Sequence, residues 1–231
     1  MNLQELQTFA EVHGLVWTDR AAFLLPRYAE LLKEWNEKMN LTAITEPEEV
    51  YEKHFADCMI PMAHLPETGK VCDVGSGAGF PGLVFAVMAP DLKVTLLEPL
   101  HKRCVFLQAV IAELGLTNVT VDNRRAEDSA DLRGQFDVTT ARAVANLPVL
   151  SELCLPLTKT GGIFLAMKGP QAEAELQAAA HALTVLGGET ENVQKETLPG
   201  GETRTNIIIR KNKATPAKYP RPYAKIKKNP L

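Results

Sequence analysis

The feature that most constrains this chain is a change of rhythm near Lys70. From there, short apolar runs alternate with helix-period stretches, which predicts a mostly parallel sheet with helices packed on it. "KVCDV", "KVTLLEP", "VTVDNR", "FDVTTARA" and "GGIFLAMKG" read as five successive strands. "PGLVFAVMAP" reads as the helix after the first strand, opening at Pro81 and stopping before Pro90. "HKRCVFLQAVIAELG" reads as the next helix, capped by Gly115, and "QAEAELQAAAHAL" as one after the fifth strand. "ENVQKETLP" and "GGETRTNIIIRK" then read as two strands joined by a Gly-Gly turn, an antiparallel finish.

Residues 1–65 carry a helical pattern instead. Behind Thr18, a good N-cap, Leu24, Tyr28, Leu31, Trp35 and Met39 form one apolar stripe. A second helix opens at Pro47 and puts Val50, His54, Cys58 and Met62 on one face. His54 and Cys58 are spaced for a shared metal, but two ligands do not close a zinc shell, so no metal is expected. Asn36 and Asn40 in "NEKMNLT" read as a capped helix end. A chain of 231 residues suffices for one core. The expected division is a helical extension (1–65), an α/β domain (66–210) and a tail (211–231).

No apolar run approaches the roughly 20 residues of a membrane span. "MNLQELQTFAEVHG" lacks the basic and apolar segments of a signal peptide, so a cytoplasmic chain without membrane contact is expected. The four cysteines form no C-x-x-C pair and read as reduced thiols. Charge is unevenly placed. From Arg210 onward the sequence carries +8 against a chain total of −3, which leaves −11 for residues 1–209. An acidic body with a basic tail predicts contact between the tail and a polyanion, with Lys218 and Arg221 as candidates.

The stretch "VCDVGSGAGFPG" holds four glycines in eight positions, and two patterns overlap there. Gly77, Gly79 and Gly82 spell the dinucleotide fingerprint G-x-G-x-x-G, which cradles a pyrophosphate. Gly75, Gly77 and Gly79 spell G-x-G-x-G behind Asp73. A carboxylate at Asp73 repels a pyrophosphate and suits an ammonium group, which S-adenosylmethionine carries. Five β/α units ending in a hairpin also match a seven-stranded, mostly parallel, Rossmann-like class I S-adenosylmethionine-dependent methyltransferase sheet. They are too few for a dinucleotide domain plus a substrate domain. A small NAD-dependent oxidoreductase remains the alternative.

Other strand ends supply further candidates at the carboxyl edge of the sheet, where such folds bind ligands. Glu98 ends the second strand and can accept both ribose hydroxyls of either cofactor. After the third strand, the backbone of Ala126 and the side chain of Glu127 suit an adenine edge. After the fourth, "TTARAVANLP" contains neither an Asn/Asp-Pro-Pro-aromatic motif for exocyclic amines nor a cysteine for attack on a pyrimidine ring. Arg142 remains, a fixed cation able to bind a carboxylate, a phosphate or a guanine O6. Lys168, ending the fifth strand, is a candidate phosphate contact.

Taken in order, "WNEKMNLTAIT", "KHFADC", "DVGSGAGFPGLVFA", "LLEP..KR..FL", "RAED", "ARA", "MKG" and "YPR...KKNPL" resemble the ribosomal RNA small subunit methyltransferase G family, also called glucose-inhibited division protein B. The resemblance covers nearly the whole chain. It implies methyl transfer from S-adenosylmethionine to N7 of guanine 527 in the decoding-region loop of 16S rRNA, by a bacterial cytoplasmic enzyme expected to be a monomer. It also implies cofactor contacts at Gly75, Phe80, Ala126, Glu127 and Arg142. Two departures stand out: "ARA" replaces the family's Ser-Arg-Ala, and "RPYAKIKKNPL" replaces its Arg-Lys-x-Gly-x-Pro tail, introducing Pro222 and Tyr223.

Overall fold

Strands β1 (Gly69–Val74), β2 (Leu92–Leu97), β3 (Val119–Asp122), β4 (Phe136–Arg142) and β5 (Thr158–Lys168) run parallel, as their alternation with helices requires. β6 (Gly188–Thr197) and β7 (Thr203–Lys211) close the sheet as an antiparallel hairpin around Gly200–Gly201. In this computed structural model, which describes residues 1–231, the strand order is β3-β2-β1-β4-β5-β7-β6. The order reverses between β1 and β4, so the crevice beside the glycine loop lies at the switch point of the sheet.

The helices are α1 (Leu3–Val12), α2 (Asp19–Met39), α3 (Pro47–Val50), α4 (Asp57–Met59), α5 (Gly82–Met88), α6 (His101–Glu113), α7 (Leu147–Cys154), α8 (Ala172–Leu186) and α9 (Tyr223–Lys228). Strand alternation sorts the core into two layers. Val71 and Ile208 face one layer, which they share with Leu6, Leu25, Phe55, Phe85 and Phe106. Cys72, Ile207 and Ile209 face the other, with Leu150, Leu183, Tyr219 and Ile226. The N-terminal helices therefore supply one face of the sheet's own core.

Several elements differ from the sequence pattern. The helix expected after Pro47 is broken into α3, a π turn at Tyr51–Ala56, α4 and a 3₁₀ turn at Ile60–His64. Pro81 is the N-cap of α5 and not its first helical residue. Helix α7 has no counterpart in the sequence pattern because all eight of its residues are buried, which leaves no amphipathic period to read. Its start is nonetheless encoded: the Asn146 side chain accepts from Val149 N at 3.2 Å, and Pro148 lies in the first turn.

The basic C-terminal stretch folds back onto the domain. Lys211 is buried and donates to the carbonyls of Leu155 and Thr158; burial, assisted by the Arg133 charge, lowers its pKa to about 8. Arg133 donates to the carbonyls of Thr215 and Tyr219. Arg221 grips both oxygens of the fully buried Glu152, at 2.8 and 2.6 Å.

Candidate functional site

The loop after β1 is pinned from several sides. Gly75 N donates to Leu97 O at 2.8 Å and Gly77 N to Glu98 Oε2 at 2.9 Å. Tyr28 of α2 donates its hydroxyl to Ala78 O at 2.5 Å, which ties the N-terminal helices to the bend. Gly75 has φ +72°, and a Cβ there would meet Val144 Cγ2 at 2.7 Å. Gly79 has φ +95°, and a Cβ there would meet the Tyr28 hydroxyl oxygen at 2.7 Å. Both the left-handed backbone and the close approach require glycine.

Asp73, which the sequence reading offers to an ammonium group, is fully buried. Its carboxylate turns to the α5 side of the sheet and not into the crevice, following the alternation of β1. Oδ2 accepts from Gly82 N at 2.9 Å at the start of α5, and buried Oδ1 has no partner. Burial raises the carboxyl to about 7, with the Gly82 amide and the Arg142 charge pulling the other way. The contact also decides between the two glycine patterns. A pyrophosphate needs the free amides at that helix start, and Asp73 occupies one of them with a carboxylate. A Cβ on Gly82 would meet Asp73 Oδ2 at 2.9 Å, so this glycine serves helix–strand packing.

Glu98 is buried, and its two oxygens accept from Gly77 N and Leu100 N, each at 2.9 Å, with Arg103 3.8 Å away. It braces the loop while keeping a second lone pair on each oxygen. Gly75, Ala126, Glu127, Leu97, Val144 and Tyr223 come together around a cavity of about 140 Å³. Glu127 Oε1 is buried there without a hydrogen-bond partner, and burial raises its pKa. A nucleobase bearing an amino group fits such an orphaned acceptor, whereas a diphosphate does not.

A second cavity, of about 400 Å³, is lined by His54, Asp57, Arg142, Ala143, Lys168 and Arg204. The turn between them carries Ala143 in the second wall and Val144 in the first. Ala143 sits at φ +56°, an uncommon conformation for a residue with a Cβ. Arg142 is the hub: Nη1 donates to Asp57 Oδ2 at 2.9 Å, Nη2 lies 3.1 Å from His54 Nδ1, and the guanidinium sits 4.9 Å over the Phe80 ring. Phe80 is buried between this group and Tyr28, and it lines neither cavity. Arg204 reaches Asp57 Oδ1 at 3.3 Å.

His54, Asp57 and Arg204 escape a reading by spacing. The π turn rotates His54 toward Arg142, and Arg204 arrives from the far hairpin. The one sequence signal for His54 and Asp57 is the "KHFADC" segment. Lys168 and Arg221, where charge alone predicts phosphate contacts, are engaged internally. Lys168 donates to Ala145 O at 2.6 Å and pairs with Glu175 at 2.8 Å, and Arg221 pairs with Glu152. Lys218 is exposed.

Burial, then the Arg142 charge, lowers the His54 pKa from 6.5 to about 3. The unfolded chain therefore takes up a proton at this ring below about pH 6.5 while the fold does not. The stability this ring contributes is full above pH 6.5 and is lost as pH falls toward 3. Urea unfolding of His54→Gln at pH 7 and pH 4.5 should show a smaller acid loss than the parent; equal losses would contradict the assignment.

No helix is long and apolar enough to cross a membrane. Among solved structures, M. jannaschii TYW2 in complex with AdoMet superposes with a TM-score of 0.53 at 15% identity, over 63% of this chain and 70% of that one. The 16S rRNA (adenine(1408)-N(1))-methyltransferase from Catenulisporales acidiphilia does so with a TM-score of 0.53 at 15% identity, over 63% and 89%. At such identities they show the fold: a class I methyltransferase sheet. A family model described as GidB, rRNA small subunit methyltransferase G, matches residues 22–204. Curated proteins named ribosomal RNA small subunit methyltransferase G are similar over their full length: that of Geobacillus thermodenitrificans is 46% identical, covering 100% of both chains. That of Bacillus subtilis is 44% identical, covering 100% of this chain and 99% of its own. With a matching family model across most of the chain and full-length relatives beside it, this protein belongs to the rRNA small subunit methyltransferase G family and is a methyltransferase.

Proposed function

We propose that the chain transfers a methyl group from S-adenosylmethionine to N7 of a single guanine in the decoding-region loop of 16S rRNA. The observation that carries this reading is the adjacency of two unlike cavities across the Ala143–Val144 turn. The smaller is walled by glycine backbone, apolar side chains and an orphaned acceptor, with Arg124 and Arg125 also in its lining, a mixture that suits a nucleoside. The larger is lined by Lys53, Arg142, Lys168 and Arg204 against Asp57 and Glu175, an excess of positive charge suited to a base within a polyanion.

Gly75, Ala126 and Glu127 would hold the adenosine end, with Glu98 keeping the bend in shape. S-adenosylmethionine supplies an activated methyl group on sulfur. N7 of guanine has an in-plane lone pair and no proton at neutral pH, so the protein has no proton to remove. The second cavity agrees with that requirement. His54 is held neutral down to about pH 3, Asp57 is paired with two arginines, and Lys168 is paired with Glu175. None of them stands free as a general base. What remains is alignment, and well-oriented proximity supplies roughly 7–11 kcal/mol of barrier reduction. The exposed lysines Lys213, Lys218, Lys225, Lys227 and Lys228 would meet RNA phosphates and give binding its salt dependence.

The test is transfer of a tritiated methyl group from S-adenosylmethionine to small subunits that lack the mark, followed by nuclease digestion. Label eluting as 7-methylguanosine is expected. Label in an adenine, an exocyclic amine or a ribose would overturn the assignment.

A further inference from the structure

The first cavity has a wall that the glycine loop and the strand ends do not provide. Tyr223, the first residue of α9, lines it together with Gly75, Ala126, Glu127 and Val144. This residue lies in the segment that departs from the family's Arg-Lys-x-Gly-x-Pro tail, so nothing carried over from relatives assigns it a role. We propose that Tyr223 is a cofactor-binding residue whose ring contacts the adenine, delivered to the nucleoside pocket by the folded C-terminal segment.

Three observations support this. First, the segment is fixed on both sides of Tyr223. Upstream, Arg221 holds Glu152 through its backbone amide at 2.8 Å and its guanidinium at 2.8, 3.1 and 2.6 Å, and Glu152 is fully buried. Downstream, Ile226 is fully buried in the layer that contains α7. A residue held between two such anchors is preorganised, so little ordering entropy opposes its contact with a ligand.

Second, the pocket has a single aromatic residue in its lining. Val74, Leu97, Pro99, Val144 and Leu153 give it apolar walls but no aromatic ring, and Tyr223 is the one aromatic side chain among its lining residues. Third, a neighbour in the same lining already contacts the ring. Arg125 places its guanidinium 5.7 Å from the Tyr223 centroid and sits 3.8 Å from Glu127, the orphaned acceptor. Arg125 thus links the aromatic wall to the polar group that would read the base edge. Most of the tail's charge faces solvent while its aromatic faces the pocket, so one short segment serves two ligands.

This inference rests on the nucleoside reading of the cavity, and the experiment separates the two. S-adenosylhomocysteine and plain adenosine are titrated by calorimetry into the full chain and into Tyr223→Phe, Tyr223→Leu and Tyr223→Ala, with the thermal midpoint of each free protein measured alongside. Base–aromatic contacts of this kind correspond to roughly tenfold in affinity. Phe is therefore expected to bind like the parent, and Leu and Ala to bind both ligands about tenfold more weakly, with unchanged midpoints. Leu keeps an apolar side chain against the same core layer, so it answers the case in which Ala disturbs the fold. If the parent binds and Leu matches it, the adenine contact is wrong and the nucleoside site stands. A loss of RNA affinity alone would equally overturn the proposal. If the parent binds neither ligand, the site reading itself fails.

Discussion

Arg142→Ala is expected to lower methyl transfer by about 10²–10³-fold, the range seen when one preorganised hydrogen-bond donor is removed from a reacting centre. One guanidinium here does three things at once. It holds Asp57 at 2.9 Å, meets His54 at 3.1 Å and covers the Phe80 ring. Its loss leaves the buried Asp57 with Arg204 alone, at 3.3 Å. The fold should survive, because Arg142 ends β4 and the strand's pairing with β5 is made by backbone groups. S-adenosylhomocysteine binding should change only a few-fold, since Arg142 lines the second cavity and not the first. Arg142→Lys should not rescue transfer: a point charge with three rotating donors cannot reproduce a planar fork. The check is single-turnover transfer beside a cofactor titration. Unchanged turnover would remove Arg142 from the site, and lost cofactor binding would move it to the other cavity.

Gly75→Ala should weaken S-adenosylhomocysteine binding by about 100-fold, with Gly77→Ala as the calibrating comparison. Both sites lie in the left-handed region, at φ +72° and +59°, so both substitutions carry the backbone strain of roughly 1–2 kcal/mol. They differ in space. A Cβ at Gly77 meets nothing closer than Gly75 O at 3.8 Å, whereas one at Gly75 runs into Val144 at 2.7 Å and intrudes on a cavity of only about 140 Å³. Gly77→Ala therefore reports strain alone, and the excess at Gly75 reports lost ligand space. Calorimetry on both variants measures the difference; equal losses would mean that strain alone is read and that no ligand occupies the space beside Gly75.

Much of this architecture is visible in the sequence because it is periodic or local. The five parallel strands announce themselves by apolar runs, and the glycine bend by composition. The hairpin is marked by Gly200–Gly201. Pairing choices are not local, and there the reading stops. A count of charges sees Arg221 and Lys168 as free cations, but Glu152 lies 69 positions from the first, and Glu175 sits across a turn from the second. Asp73 could be placed at the end of its strand, yet which face it points to depends on the one-residue alternation of β1. Asp57, and the contact of His54 with Arg142, are hidden by a different effect: the π turn breaks the 3.6-residue period on which a helical face is drawn. Tyr223 reaches the pocket only after the tail has folded back across α7.

The most direct measurement is mass spectrometry of 16S rRNA from cells with and without the gene. Loss of 7-methylguanosine at one position, restored by the intact gene but not by Arg142→Ala, is the result expected here. An rRNA methylation pattern identical in both strains would contradict the account.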